Sequence, residues 1–239
     1  MNLKEKNIEN ILSLWTIVNT PFNTNYNKGN YSYCYLPFSD WPNRLWSWNF
    51  TPEVLDDAIK EMRNGKEGLR ISSWEDNHDL FLSRDLEQRF QQTGMSLHLK
   101  ERPAYEKRLQ LMRVENEEQA KQWVDTFTIP FGYRIHEDLV AQSCNKVQFN
   151  LVFFENTLIG TALLHIEDGI AGIHSVGIIP EVRRKGYAEE IMKILIDMAI
   201  DSNASHCVLQ ASEMGQGIYT RLGFTADFLF THYTLPVNK

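Results

Sequence analysis

One stretch, His174 to Ala199, constrains this chain more than any other: HSVGIIPEVRRKGYAEEIMKILIDMA. His174 to Ile179 is apolar and partly β-branched, which suits a buried strand. Pro180 ends it, because proline has no N–H to donate to a ladder. Val182 to Gly186 is basic and closes on glycine. Ala188, Ile191, Met192, Leu195, Ile196 and Ala199 then recur at helical spacing on one face. The first N–H groups of a helix have no partner inside it, and the helix dipole adds partial positive charge at the same end. Gly186 lets an anion approach the backbone closely, and Arg183, Arg184 and Lys185 add full charges. Together these features make a site for a pyrophosphate.

Arg183-x-x-Gly186-x-Ala188 matches the pattern Gln/Arg-x-x-Gly-x-Gly/Ala, and on it the chain resembles the GCN5-related N-acetyltransferases, the GNAT superfamily. A second block, His206 to Phe224 (HCVLQASEMGQGIYTRLGF), reads as strand, loop and helix. It closes on Tyr219-x-x-Leu222-Gly223-Phe224, an ending typical of that family. The resemblance implies an α/β (α+β) fold, a mixed and mostly antiparallel sheet flanked by helices. It implies acetyl-CoA as co-substrate, with the acetyl group passing to a primary amine of a small molecule or protein.

The resemblance also implies roles for individual residues. The backbone around Val176, Gly177 and Ile178 would bond the pantetheine arm where this strand splays from its neighbour. Arg183 and the N–H groups of Arg184, Lys185, Gly186, Tyr187 and Ala188 would hold the pyrophosphate. Ser212 would touch the cofactor arm. Tyr219 would protonate the departing thiolate as general acid; the alternative for Tyr219 is a core tyrosine beside Phe224. Members with a glutamate base on the key strand carry it four residues before the position of Val176, and here that position is Gly172. Three replacements stand open. His174 lies on the same strand face by period-two alternation and belongs to a residue type that titrates near neutrality. Glu213 lies just past the next strand, and a water chain to bulk solvent would also serve. The alternative for His174 is a structural strand histidine. The departure at Gly172 keeps open a second function, a non-catalytic acyl-CoA sensor or scaffold.

Net charge is −7. It argues against non-specific binding to nucleic acid or to an anionic membrane and suits a cationic acceptor. Cys34, Cys144 and Cys207 show neither disulfide nor metal spacing, which suits a reducing cytoplasm. Lys4, Glu5, Lys6 and Glu9 mix charges where a signal peptide would be basic and apolar, and Lys193 and Asp197 interrupt the longest apolar run. The expectation is therefore a cytoplasmic protein with no membrane segment. The seven histidines show no metal-ligand spacing, and no dinucleotide, Walker or nucleophile-elbow pattern occurs; no metal is expected.

Residues 1–104 and 105–239 read as two domains, joined at the charged, proline-containing run Lys100 to Lys107. The first domain carries an amphipathic helix (Ile8, Ile11, Leu12, Trp15, Val18) and a strand over Tyr31 to Leu36. A helix capped by Thr51-Pro52-Glu53 follows, then a strand over Gly68 to Trp74, a helix over Leu80 to Phe90 and a strand over Met95 to Leu99. This order parallels the second domain at a spacing of about 135 residues, which suggests a degenerate GNAT-like half without the cofactor motif; the alternative is an unrelated N-terminal domain. The second domain opens with a strand over Leu109 to Val114. Next come a helix capped by Asn116 and Gln119 and broken at Thr128 to Tyr133, and a short helix over His136 to Ser143. In the family these two helices line the acceptor pocket. A hairpin over Val147 to Ile166 leads into the key strand.

Overall fold

A computed structural model describes residues 2–236. Its elements in chain order begin with α1 (Leu3–Asn19), β1 (Asn25–Asn27), β2 (Ser32–Cys34), β3 (Arg44–Trp46), α2 (Pro52–Arg63), β4 (Arg70–Ser73), α3 (His78–Leu82) and β5 (Glu87–His98). They continue with β6 (Leu109–Arg113), α4 (Glu117–Phe131), α5 (Glu137–Ser143), β7 (Gln148–Phe154), β8 (Thr157–Glu167), β9 (Ile170–Ile178), α6 (Tyr187–Asp201), β10 (His206–Ala211), α7 (Glu213–Arg221) and β11 (Thr225–Thr234). The strands form one sheet in the order β1-β2-β3-β4-β11-β5-β10-β9-β8-β7-β6. Every ladder is antiparallel except β3–β4 and β9–β10. The mixed, mostly antiparallel sheet flanked by helices is the one the resemblance implied.

The caps read from sequence form. Thr51 Oγ1 accepts from Val54 N, and Asn116 Oδ1 accepts from Gln119 N at 2.9 Å. Three cores result. On one face α1, α4 and α5 bury Trp15, Trp123, Phe127, Leu139, Phe149 and Phe230. α6 buries Ile191, Leu195 and Ala199 against Ala162, Ile173 and Leu209. In the first half α2 buries Leu55, Ala58 and Ile59 with Leu45 and Phe81.

Two sequence expectations fail locally. Leu80 to Phe90 is not one helix: α3 stops at Leu82, Asp85 takes a left-handed φ of 60°, and β5 starts at Glu87. Glu87, Gln88 and Arg89 favour a helix intrinsically, but β5 pairs with β10 on one side and β11 on the other, and two ladders override that preference. The helix α4 is not broken at Thr128. It runs to Phe131, with Pro130 in its last turn, and ends at Gly132 in the left-handed region (φ 72°).

β5, from residues 1–104, lies between β10 and β11 of residues 105–239. β11 in turn pairs with β4 of the first half. The succession β3-α2-β4-α3-β5 thus mirrors β9-α6-β10-α7-β11. Each succession opens on a parallel pair and sends its last strand into the other's sheet.

Candidate active site

β9 and β10 pair only at their starts, Ile170–Gly172 against His206–Val208. Beyond that they diverge. On its other side β9 carries a bulge: the register with β8 slips between Thr161↔Gly177 and Leu163↔His174, and Ser175 takes φ 52°. A bulge bends its strand, and this one turns β9 away from β10. Thr161 Oγ1 pins the bend by donating to Ser175 O at 3.1 Å. The end of α4 seals the outer side of β9. A Cβ on Gly177 would meet Phe131 Cε2 at 2.5 Å and Pro130 Cγ at 2.8 Å, so only glycine fits. The opening belongs to a cavity of ≈ 1740 Å³ walled by Ile173 to Ile178, Leu209, Gln210, Ser212, Tyr219 and the loop ahead of α6.

That loop folds through two left-handed residues, Arg184 (φ 65°) and Gly186 (φ 80°). Gly186 is the N-cap of α6, and no side chain caps the helix. Glu190 N makes the first intrahelical bond, to Gly186 O at 3.1 Å, so the N–H groups ahead of it are free for an anion. The sequence reading missed what holds the loop in place. Glu190 is 4% exposed. Its Oε1 accepts from Arg108 N at 2.6 Å and Leu109 N at 2.8 Å, and its Oε2 from Arg108 Nε at 2.9 Å. Arg108 also donates to Lys185 O at 3.4 Å and lies over the buried Tyr187 ring. The available signal was a glutamate on the apolar side of α6, next to Ile191. Arg183 is not free: its Nε donates to Ile178 O at 3.1 Å, tying the loop to the strand end. Arg184 lines the cavity, and the exposed Lys185 does not stand among its walls.

Tyr219 is half-buried on α7, with its ring edge-on to Phe224 at 6.0 Å. Burial raises its hydroxyl above the ordinary value, so it keeps its proton through neutral pH. A packed ring and a protonated hydroxyl thus meet at one cavity wall. Ser212 Oγ accepts from Gly215 N at 3.3 Å as the N-cap of α7.

The base position is closed for a physical reason. A Cβ on Gly172 would collide with Asn10 Oδ1 and would meet His174 Nε2 at 2.5 Å. Asn10, on α1, fills the space a longer side chain would need, and its Nδ2 donates to His165 O at 3.2 Å and Ile170 O at 3.3 Å. His174 Nε2 faces Asn10 Oδ1 at 3.5 Å. The expectation that His174 titrates near neutrality is overturned. Burial first, and His165 second, push its pKa down to about 3, against a weak opposing bond from Gln210. His174 is therefore a neutral polar wall and a poor proton acceptor. Glu213 is exposed on the first turn of α7, outside the cavity walls. Of the two helices expected to line an acceptor pocket, the end of α4 (Pro130, Phe131) borders this cavity, and α5 packs in the core instead. The first half adds Tyr35, Trp41, Arg44, Arg70, Phe90 and Gln92 to the walls, beside Tyr133 and His232 of the second half.

No helix among the described residues is long and apolar enough to cross a membrane. The three cysteines are free and buried, and no cluster of metal-ligating side chains occurs among the described residues.

No curated protein matches the chain by sequence. Among solved structures, a GCN5-related N-acetyltransferase from Kribbella flavida superposes with a TM-score of 0.71 at 14% identity, covering 95% of each chain. One from Sphaerobacter thermophilus gives 0.61 at 12% identity, covering 85% of this chain and 76% of that one. A GCN5-related N-acetyltransferase-like protein from Streptococcus suis gives 0.59 at 11% identity, covering 97% and 99%. At these identities the likeness is one of fold, and it spans both halves. Residues 110–224 match the model of the Acetyltransferase (GNAT) family, and with that match and the splayed β9–β10 pair, this stretch belongs to the GNAT acetyltransferase family.

Proposed function

We propose that the protein is a cytoplasmic N-acetyltransferase that uses acetyl-CoA and a primary amine of a small molecule or protein. One observation carries the reading: the splayed end of β9, the uncapped N-terminus of α6 and the Tyr219 side chain border a single cavity. The residues fit the co-substrate. The edge of Val176 to Ile178 that faces away from β8 has no strand partner beyond Gly172 and suits an extended pantetheine arm as an added strand, beside Ser212. The N–H groups of Arg184 to Ala188, with Arg184 itself, suit a pyrophosphate, while Arg183 and Arg108 hold the loop's shape. Bound acetyl-CoA would supply a thioester carbonyl open to attack by nitrogen.

The acceptor nitrogen forms the new C–N bond at that carbonyl as the C–S bond breaks. Tyr219 gives its hydroxyl proton to the departing sulfur and recovers one from the amine side through solvent. A protonated amine first loses one proton to water, because His174 is too weak a base to take it. Residues 1–104 are read as a degenerate GNAT-like half that builds the acceptor wall.

Calorimetric titration with acetyl-CoA tests the cofactor site. Micromolar binding, lost in Arg184→Glu combined with Gly186→Trp, is the expected result, and no binding by the wild type sinks the proposal. The vacancy of a base at Gly172 favours one other reading, a non-catalytic acyl-CoA sensor. Steady-state thiol release with any natural amine would count against that reading.

A further inference from the structure

We infer that the acceptor taken by this cavity is an amine that also carries an anionic group, a carboxylate or a phosphate, and that Arg44 and Arg70 hold that group. The inference rests on the acetyltransferase reading above and narrows its substrate class.

Arg44 is 6% exposed, yet no carboxylate stands within ion-pair distance of it among the described residues. Its Nη1 donates to Asn43 O at 2.9 Å, and its Nε is buried with no partner. Its guanidinium lies 5.8 Å from the Trp15 ring centre. A buried guanidinium without a counter-ion is a costly arrangement that a protein keeps for a reason. The neighbourhood raises that cost. Arg44 stands opposite Arg70 in the parallel β3–β4 register, and Arg70, half-buried over the Phe90 ring, feels Arg89 as a further like charge. Neither Arg70 nor Arg89 has a carboxylate partner among the described residues.

The other titratable groups facing this wall do not neutralise it. His232 is buried, with Nδ1 on Ser72 Oγ at 3.0 Å and Nε2 on Gln92 Oε1 at 3.2 Å. Asp40 attracts Arg70, but it makes no ion pair with either arginine and accepts from Arg134 N at 2.9 Å, and Glu67 is exposed. Tyr133, with its hydroxyl raised by burial, brings no charge. The result is a pair of cationic forks, with a third at the rim, on the wall of the cavity that also holds Tyr219. Planar guanidinium groups match carboxylate and phosphate oxygens two at a time. The chain's net charge of −7 makes this local concentration of positive charge the more specific.

The test uses the full-length protein loaded with CoA, so that the loop ahead of α6 is already filled. N-acetylglycine is titrated calorimetrically as a product-like carboxylate, N-acetylglycinamide as its neutral control, and inorganic phosphate as the second arm. Whichever anion binds names the group. The expected result is binding of one anion at least tenfold tighter than the neutral control, weakened about tenfold or more in Arg70→Gln and in Arg44→Gln, with CoA affinity unchanged. Arg70→Gln alone decides the matter if Arg44→Gln fails to fold. Anion binding no tighter than the neutral control, or unaltered in Arg70→Gln, would overturn the inference while leaving the transferase reading intact. If the protein takes no CoA, the transferase reading fails. The same titrations on the free protein then decide whether the arginine pair binds anions.

Discussion

Glu190 is the residue whose removal should reveal most about how the loop ahead of α6 is held. It is buried, and its carboxylate accepts from two backbone N–H groups and from Arg108. In Glu190→Ala the buried Leu109 N–H loses its partner, which costs about 1–3 kcal/mol. Arg108 is partly exposed, so its lost ion pair adds no more than about 1 kcal/mol. The sum is about 1–4 kcal/mol, and for a chain of this size each kcal/mol lowers Tm by about 2–4 °C, giving a fall of about 2–16 °C. In Glu190→Gln the amide oxygen still serves Leu109 N while the amide nitrogen faces the Arg108 donors, so an intermediate fall is expected. Thermal unfolding by circular dichroism measures both. The same variants link stability to function, because Arg108 is the side chain that bonds Lys185 O. Acetyl-CoA affinity should drop with Glu190→Ala even though that side chain does not line the cavity. A Tm within about 2 °C of wild type, with unchanged acetyl-CoA affinity, would refute the tether.

Tyr219→Phe should lower kcat roughly a hundredfold or more while acetyl-CoA binding by calorimetry stays near the wild-type value; full turnover would remove the hydroxyl from the mechanism. His174→Gln should leave the pH dependence of kcat/KM unchanged above neutrality. The folded pKa of about 3 lies below the ordinary 6.5, so protons favour the unfolded state between those values and stability falls as pH drops through them. His174→Gln should therefore flatten the loss of Tm between neutrality and pH 4, and an unaltered slope would show that His174 is not the group responsible. Gly172→Ala should destabilise by about 1–3 kcal/mol through overpacking, and Asn10→Gly in the same chain should return part of it; urea titration reads both.

The second half was legible because its chemistry is local in sequence. Strand, basic loop, Gly186 and amphipathic helix are contiguous, and the structure bends them as the pattern required. The first half was harder for reasons that are also physical. β5 carries glutamines that suit a helix, and it becomes a strand only because β10 and β11 pair with it from positions more than a hundred residues away. The apolar face of α1 was visible, but its polar contribution was not. Asn7 donates to Met95 O and Leu209 O, and Asn10 to His165 O and Ile170 O, so α1 closes the underside of the splay with amide groups. Arg44 and Arg70 sit on separate strands, and nothing in their local spacing announces that the sheet sets them side by side.

The mirrored successions explain why one half holds a cofactor motif and the other does not. α2 and α6 occupy equivalent places, each crossing between two parallel strands. Their N-termini differ in chemistry rather than position. α2 begins with Pro52, which has no N–H, and Thr51 Oγ1 accepts from Val54 N. That terminus is satisfied internally and offers little to an anion. α6 begins at Gly186 with no capping side chain, behind two left-handed residues that turn the backbone toward the cavity. An N-terminus left unsatisfied by its own chain carries a cost in the free protein, and a bound pyrophosphate removes it. An unsatisfied positive group of the same sign stands across the cavity, where Arg44 is a buried cation left without a counter-ion. Both walls of the cavity are thus unsatisfied toward anions, one through backbone N–H groups and one through guanidinium groups. That is the arrangement expected if the proposed acetyl-CoA and an anionic acceptor meet here, in a chain whose net charge is −7.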